Sequence, residues 1–256
     1  MNKHKNYSIL TILFLLFICS CVSKKELLYL QDIQALNNSK VISSKNILQE
    51  NDILKIDVTS LELNASLPYN KSFSQGFTQN SFQILQLNGY LVSTNKTINF
   101  PILGEISVAD KTTQDLEKYL KNLLEVGGHL INPSVTVRLL NSKVTILGEV
   151  RNPGTFTFTE KNISLLQALG LAGDLTIDGN RKNIIVIRES NGQRTSTNID
   201  LTSANWLGSL YQNIQPNDVI IVNPNSKKIK SAGLVGNIST VLSIASILLS
   251  TIILIR

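Results

Sequence analysis

Residues 232–255 carry no charged side chain, and Arg256 follows them directly. A helix over this stretch, at 1.5 Å per residue, would run about 36 Å, against a bilayer core of about 30 Å. The expectation is a C-terminal transmembrane helix over 232–255. Its composition is unusual. Gly233, Gly236, Asn237, Ser239, Thr240, Ser243, Ser246, Ser250 and Thr251 interrupt the aliphatic residues. At about 100° per residue, all but Asn237 fall on one stripe roughly 140° wide, with Ile247 and Leu254 intruding. Gly236, Thr240, Ser243, Ser246 and Ser250 are its candidate functional residues. Such a stripe suits close helix packing in lipid, and equally the lining of a wet lumen in a ring of helices. Both uses need more than one copy. A single-pass anchor whose hydroxyls carry no role is the plain alternative.

The other end is apolar too. Lys3, His4 and Lys5 form a basic start, residues 9–18 are apolar apart from Thr11, and Ile18-Cys19-Ser20-Cys21 follows. A basic head, a short apolar run and a small-residue cleavage site define a secretory signal. The run falls short of the ~20 residues a spanning helix needs. The segment resembles a bacterial lipobox, in which a small residue precedes a cysteine that is lipidated and becomes the new N-terminus. Cys21 fits, with Ser20 before it and Ile18 three positions back; Cys19, behind bulky Ile18, does not. The expected division is a signal over 1–20 and a lipid-anchored polar connector over 21–49. An ordinary cleaved signal, or an uncleaved anchor, stays open on the residues alone. Lys227, Lys228 and Lys230 would lie on the exported side of the C-terminal segment, against the positive-inside bias of an inner membrane. An outer membrane imposes no such bias.

Between the two ends the pattern is that of a folded domain pair. Hydrophobic residues are 43% of the chain and charged residues 16%, which leaves enough apolar material for real cores. Asp52-Ile53-Leu54-Lys55-Ile56-Asp57-Val58 alternates with period two and predicts a strand. Residues 64–81 are rich in Asn, Ser, Gly and Gln and read as a loop. Two short strands are expected around the turn in 97–108. Thr112 or Thr113 can cap the helix that bears Leu116, Leu120, Leu123 and Leu124, and Gly127-Gly128 ends it. Pro133 precedes the strand of Ser134 to Leu139. A second unit opens at Lys143, with strand Val144 to Val150, the turn Arg151-Asn152-Pro153-Gly154 and a return strand at 155–158. Asn162 can cap a short helix with Leu165, Leu166 and Leu169, ended by Gly170 or Gly173. Strands are expected at 183–188, 196–200 and 218–222. Asn51-Asp52 and Asn217-Asp218 each open an alternating strand, which suggests divergent copies of one small element. The fold class expected is α+β: two small sheet-plus-helix, β-grasp-like periplasmic modules with a C-terminal transmembrane helix.

Four features, in order, carry a family resemblance: the lipobox at Cys21; the Asn51 to Val58 strand; Phe100-Pro101-Ile102-Leu103-Gly104-Glu105-Ile106 with its following helix and Asn132-Pro133-Ser134-Val135; and Val144-Thr145-Ile146-Leu147-Gly148-Glu149-Val150-Arg151-Asn152-Pro153-Gly154 with Asn217-Asp218-Val219-Ile220-Ile221-Val222. Together they resemble the polysaccharide export outer-membrane lipoproteins of the Wza type, over about 48–225. Asn51 and Asn217 stand where that family has Gly, which Asn tolerates at positive φ. The resemblance implies a polysaccharide-export domain at 50–141 and a soluble-ligand-binding β-grasp (SLBB) domain at 142–226. It implies a homo-oligomeric ring of about eight copies. The ring would conduct capsular or exopolysaccharide outward through the outer membrane, with an inner-membrane polysaccharide co-polymerase or tyrosine kinase as partner. The alternative is a lipid-anchored periplasmic module that binds a glycan or a partner without forming a pore.

Several chemistries find no footing. Two histidines and two cysteines leave little for a zinc site, and no cofactor is called for. No Gly-x-Ser-x-Gly elbow, phosphate loop or dinucleotide fingerprint occurs. A net charge of +6 spread along the chain points to no nucleic-acid partner. His129 reads as a helix-end or surface residue. Asp52/Asp57 and Glu149/Glu160 are glycosidase candidates only by proximity in sequence. Trp206 and Tyr211 could stack on a sugar, but read first as packing.

Overall fold

The computed structural model describes residues 24–35, 45–71, 88–190, 192–232, 242–247 and 250–251. Alternation places Leu54, Ile56 and Val58 of strand β1 (Ile53–Thr59) on a buried face. β1 lies between β2 (Tyr90–Leu91) and β5 (Ser134–Leu139), both antiparallel to it. A separate hairpin, β3 (Thr97–Phe100) and β4 (Gly104–Ser107), adds Ile98, Phe100 and Ile106 to the same core. One turn of helix, α1 (Leu63–Ser66), follows β1.

Helix α2 (Thr113–Val126) closes this first unit. Thr112 is its cap: the Thr112 hydroxyl accepts the Asp115 N–H at 3.2 Å, and the Asp115 carboxylate accepts the Thr112 N–H at 3.2 Å. Leu116, Leu120 and Leu124 recur every fourth residue and are fully buried. Gly128, at φ +70°, turns the chain out of the helix. Glu117 of α2 accepts the Val137 N–H of β5 at 2.9 Å, which occupies one donor on that strand's outer edge.

The second unit is a five-stranded mixed sheet. Its strands are β6 (Lys143–Gly148), β7 (Gly154–Thr157), β9 (Gly179–Ser190), β10 (Gln193–Ile199) and β12 (Val219–Pro224), in the order β10-β9-β12-β6-β7. β12 and β6 run parallel and every other neighbour is antiparallel. A two-stranded ribbon of β8 (Ile163–Ser164) and β11 (Asn213–Ile214) lies beside α3 (Leu165–Leu171). α3 is capped by Ser164, not Asn162: the Ser164 hydroxyl accepts the Gln167 N–H, and Gln167 returns a bond to the Ser164 N–H. Asn162 instead accepts from the Asn46 amide of the connector at 3.0 Å.

Two expectations are corrected. The whole is mixed α and β with several separate sheets rather than two like modules; the first unit's sheet is wholly antiparallel and three-stranded, the second's contains a parallel pair. The C-terminal transmembrane helix is not found: among the described residues, no helix is long and apolar enough to cross a membrane. The helix that follows β12 is α4 (Ser226–Ser231), six residues with three lysines. Beyond it, residues 242–247 and 250–251 are helical. Ser and Thr dilute the segment's apolar character, and their hydroxyls bond to its own carbonyls.

The parallel pairing depends on a glycine. Gly148 ends β6 at φ +90°, and a Cβ there would sit on the Val222 carbonyl oxygen of β12. Gly148→Ala is expected to cost more than ~2 kcal/mol in urea unfolding of the dispersed protein, whereas Gly170→Ala, with open space around it, should be neutral or stabilising.

Candidate functional site

The two Asn-Asp pairs prove to be one local structure built twice. In Gln49-Glu50-Asn51-Asp52 and Gln215-Pro216-Asn217-Asp218, each asparagine sits at φ +67°. Each aspartate donates its N–H to the glutamine carbonyl at 3.2 Å. Each also accepts the glutamine N–H on its carboxylate at 2.8 Å. The side chain thus closes the turn that starts the strand. Asp52 is 4% exposed and Asp218 1%.

Their surroundings differ. Arg188 of β9 meets Asp218 with Nε at 2.9 Å and Nη2 at 2.7 Å, a bidentate buried ion pair. The guanidinium also donates to the Leu210 and Asn213 carbonyls and lies 4.9 Å from the Tyr211 ring centroid. Burial pushes the Asp218 carboxyl up, and the Arg188 bonds and the Gln215 N–H pull it back. Asp52 has no such partner. Burial raises its pKa to about 6, with only the Gln49 N–H opposing.

Asp52 lines a cleft of about 260 Å³ between the two units. One wall is Lys45, Asn46 and Gln49 of the connector and Asp115 of α2; the other includes Glu160, Lys161, Glu189 and Gln215. The Asn46 amide donates across it to the Lys161 carbonyl and to Asn162, both at 3.0 Å.

The connector itself is not a free tether. Residues 29–32 form a strap bound to the second unit, about 145–172 positions along the chain. The Leu30 N–H donates to the Leu201 carbonyl at 2.9 Å and the Gln31 N–H to the Thr202 carbonyl at 2.8 Å. The Tyr29 hydroxyl donates to Asp174 at 2.6 Å, and burial with that carboxylate raises its pKa. Asp32 accepts from the Ser203 hydroxyl and the Ala204 N–H, which hold its carboxyl below the usual range. Residues 29–32 thus lie on the second unit, residues 45–140 belong to the first, and the chain returns to the second from residue 142.

Of the sequence candidates, Cys21, Gly236 and Thr240 lie outside the described residues. Ser243, Ser246 and Ser250 are joined along one helical line by local bonds: Ser246 donates to the Ser243 carbonyl at 2.9 Å and Ser250 to the Ser246 carbonyl at 2.8 Å. His129 is exposed and shares a 3.1 Å hydrogen bond with the Tyr69 hydroxyl. The carboxylate pairs do not converge. Asp52 and Asp57 fall on opposite faces of one strand, and Asp57 pairs with Lys55. Glu149 and Glu160 flank opposite ends of the β6–β7 hairpin. Trp206 belongs to the second unit's core. The strap and the Arg188–Asp218 pair were not foreseen. Ile184, Val186 and Arg188 share one face of β9, so an arginine on an apolar face was the available signal.

Comparison with known proteins gives two matches in order. Residues 41–140 match the family "Polysaccharide biosynthesis/export protein", and residues 142–222 match "SLBB domain". Two curated relatives bear the name "EPS I polysaccharide export outer membrane protein EpsA". The one from Ralstonia nicotianae is 33% identical over 106 residues, 40% of this chain and 27% of the relative. The one from Ralstonia solanacearum is 32% identical over 104 residues, 39% and 27% respectively. The matched stretch thus spans about a quarter of the length of either relative.

The two turns respond oppositely to substitution. Arg188→Ala, which strands a buried carboxylate, is expected to lower unfolding stability by about 3–5 kcal/mol. Asp52→Asn keeps an acceptor for Gln49 and removes a buried charge, so it should stabilise the dispersed protomer by up to ~3 kcal/mol at pH 7.5. The folded pKa of Asp52 is raised, so the ionised form is the costly one. The advantage of Asp52→Asn should therefore fade as pH falls from about 6 to about 4, which chemical denaturation at several pH values would show.

Proposed function

We propose, for a chain that carries a polysaccharide biosynthesis/export domain followed by an SLBB domain, that it is the outer-membrane component of a polysaccharide export machine. The order of those two domains in one chain is the observation that carries this reading, and the names of the Ralstonia relatives support it. The chain acts as a conduit rather than a catalyst. Copies assemble into a ring, and the capsular or exopolysaccharide chain passes through its lumen toward the cell surface. The driving force comes from synthesis and from an inner-membrane partner of the co-polymerase or tyrosine-kinase kind.

The strap sets the orientation. A lipid on Cys21 lies three residues before Lys24, no more than about 11 Å of extended chain. Residues 29–32 are bonded to the second unit. The anchor therefore holds the SLBB unit close to the inner leaflet of the outer membrane and leaves the export unit on the periplasmic side, toward the inner-membrane partner. A lipid alone is a modest anchor, and a ring multiplies it by the number of copies.

Three measurements test this. Palmitate labelling should reach the wild type and Cys19→Ser but not Cys21→Ser. Cells lacking the chain should make the polymer and fail to display it, with recovery on complementation. The detergent-extracted full chain should have the mass of a closed ring. Unchanged surface polymer in the deletion strain would overturn the export role, and a monomer at all concentrations would overturn the ring.

A further inference from the structure

The five-stranded sheet has two faces, and α3 covers one of them. Ile146, Ile184, Val186 and Val222 are fully buried on that side, in one cluster with Leu165 and Leu169 of α3. Alternation turns their neighbours the other way. The register lines those neighbours up in rows. Ile187, Val219 and Thr145 stand side by side on β9, β12 and β6, and Ile185, Ile221 and Leu147 form the next row. Ser196 on β10 and Thr155 on β7 carry the first row to the sheet edges. Neither row holds a charged residue; Lys143 and the Glu189–Arg194 pair lie one row further on. Ile185, Ile187, Val219 and Ile221 stay partly exposed, and Leu147 is 43% exposed. None of these five belongs to either core.

Parallel strands such as β12 and β6 are normally covered on both faces. An apolar, charge-free centre with a polar border is also how the middle of a protein interface is built. The matching surface is on the other side of the same unit. The inner face of α3 is spent on the core, but its outer face holds Leu166 and Leu171, 36% and 44% exposed, with Gly170 between them. A Cβ at Gly170 would meet nothing within 4 Å, so another surface can approach the helix closely there. Because α3 covers one face of the sheet, its outer leucines and the open face point in opposite directions.

We propose that the open sheet face of one copy receives the outer face of α3 from the next copy. This rests on the ring assembly proposed above. A ring is built from heterologous contacts, in which one face of each copy meets a different face of the next. Two apolar faces on opposite sides of one unit are complementary in that sense. Each sheet then lies between its own α3 and its neighbour's, and sheet and helix layers alternate around the ring. Two open faces packed on each other would bury the same isoleucines in a closed dimer, but would leave Leu166 and Leu171 in water. A glycan would find few polar groups on the open face, where the Thr145 hydroxyl already shares a 3.0 Å hydrogen bond with that of Thr155.

The test uses the full-length chain extracted in detergent. Ile221→Cys and Leu166→Cys are made singly and together, with the unaltered chain as control. Each is treated with a bis-maleimide of about 10 Å span, the usual separation of packed layers. Within one copy the sheet and α3 stand between the two positions, so only a bond between copies can join them. The expected result is a ladder of covalent multimers from the double variant and no more than a trace of dimer from either single variant. In parallel, Ile185→Thr with Ile221→Thr keeps β-branched residues on the strands and should raise the protein concentration at which particles dissociate at least about tenfold. Should that variant melt lower as a dispersed protomer, its dissociation counts for nothing and the ladder decides. Covalent dimers from Ile221→Cys alone would show two open faces packed together and overturn the inference. A double variant that assembles as wild type does and gives no ladder would also overturn it, and would leave the ring standing. A wild type that never assembles would remove the ring and the inference together.

Discussion

Arg188 sits opposite Asp218 deep in the second unit, and that pair sets the geometry of everything around it. One guanidinium bonds the opening turn of β12, the Leu210 and Asn213 carbonyls of the returning loop, and stacks near Tyr211. It thereby fastens β9 to residues 210–218, more than twenty positions further along the chain. A buried ion pair adds little net stability over an apolar substitute, but it punishes any arrangement that separates its partners. Sliding β9 by one residue would turn Arg188 to the opposite face and leave Asp218 bare. The β9–β12 register is therefore fixed by charge as well as by the apolar alternation of Ile184 and Val186. β12 in turn pairs in parallel with β6, where Gly148 lets the two backbones meet. The sheet's central order follows from those two local facts.

The path of the chain then determines how the two units relate. It is bonded to the second unit at residues 29–32, passes to the first and returns, so the units are joined by two covalent crossings rather than one. Lys45 and Ser142 line the cleft, and the Asn46 amide spans it. A single linker leaves a hinge, whereas two crossings with a bonded span between them resist rotation.

Much of this was legible from residue spacing. Leu116, Leu120 and Leu124 announce α2, its cap is narrowed to Thr112 or Thr113, and the Asn-Asp pairs announce strand openings. These are local signals, fixed by neighbours within a few positions. What escaped was non-local or carried by the backbone. The strap binds through the Leu30 and Gln31 N–H groups and through Tyr29 and Asp32, whose partners lie about 145–172 positions away, so no local spacing marks it. Ser164 took the cap from Asn162 because the Asn162 amide has another partner in Asn46. Of the charge-free stretch at 232–255, only residues 232, 242–247 and 250–251 are described, and no helix long and apolar enough to cross a membrane is found among the described residues.

The two Gln-x-Asn-Asp turns separate what sequence encodes from what context decides. The local chemistry is the same in both: a positive-φ asparagine, a carboxylate closing the turn, and a strand leaving it. In one copy the opposite strand supplies an arginine and the turn becomes the most bonded point of a core. In the other it supplies an asparagine that is spent on backbone, and the carboxylate is left facing a cleft. Folding alone gives no reason to keep an unpaired buried charge when Asn would close the turn equally well. The turn is therefore a local device, and what its carboxylate costs is set by the residue that the opposite strand places against it.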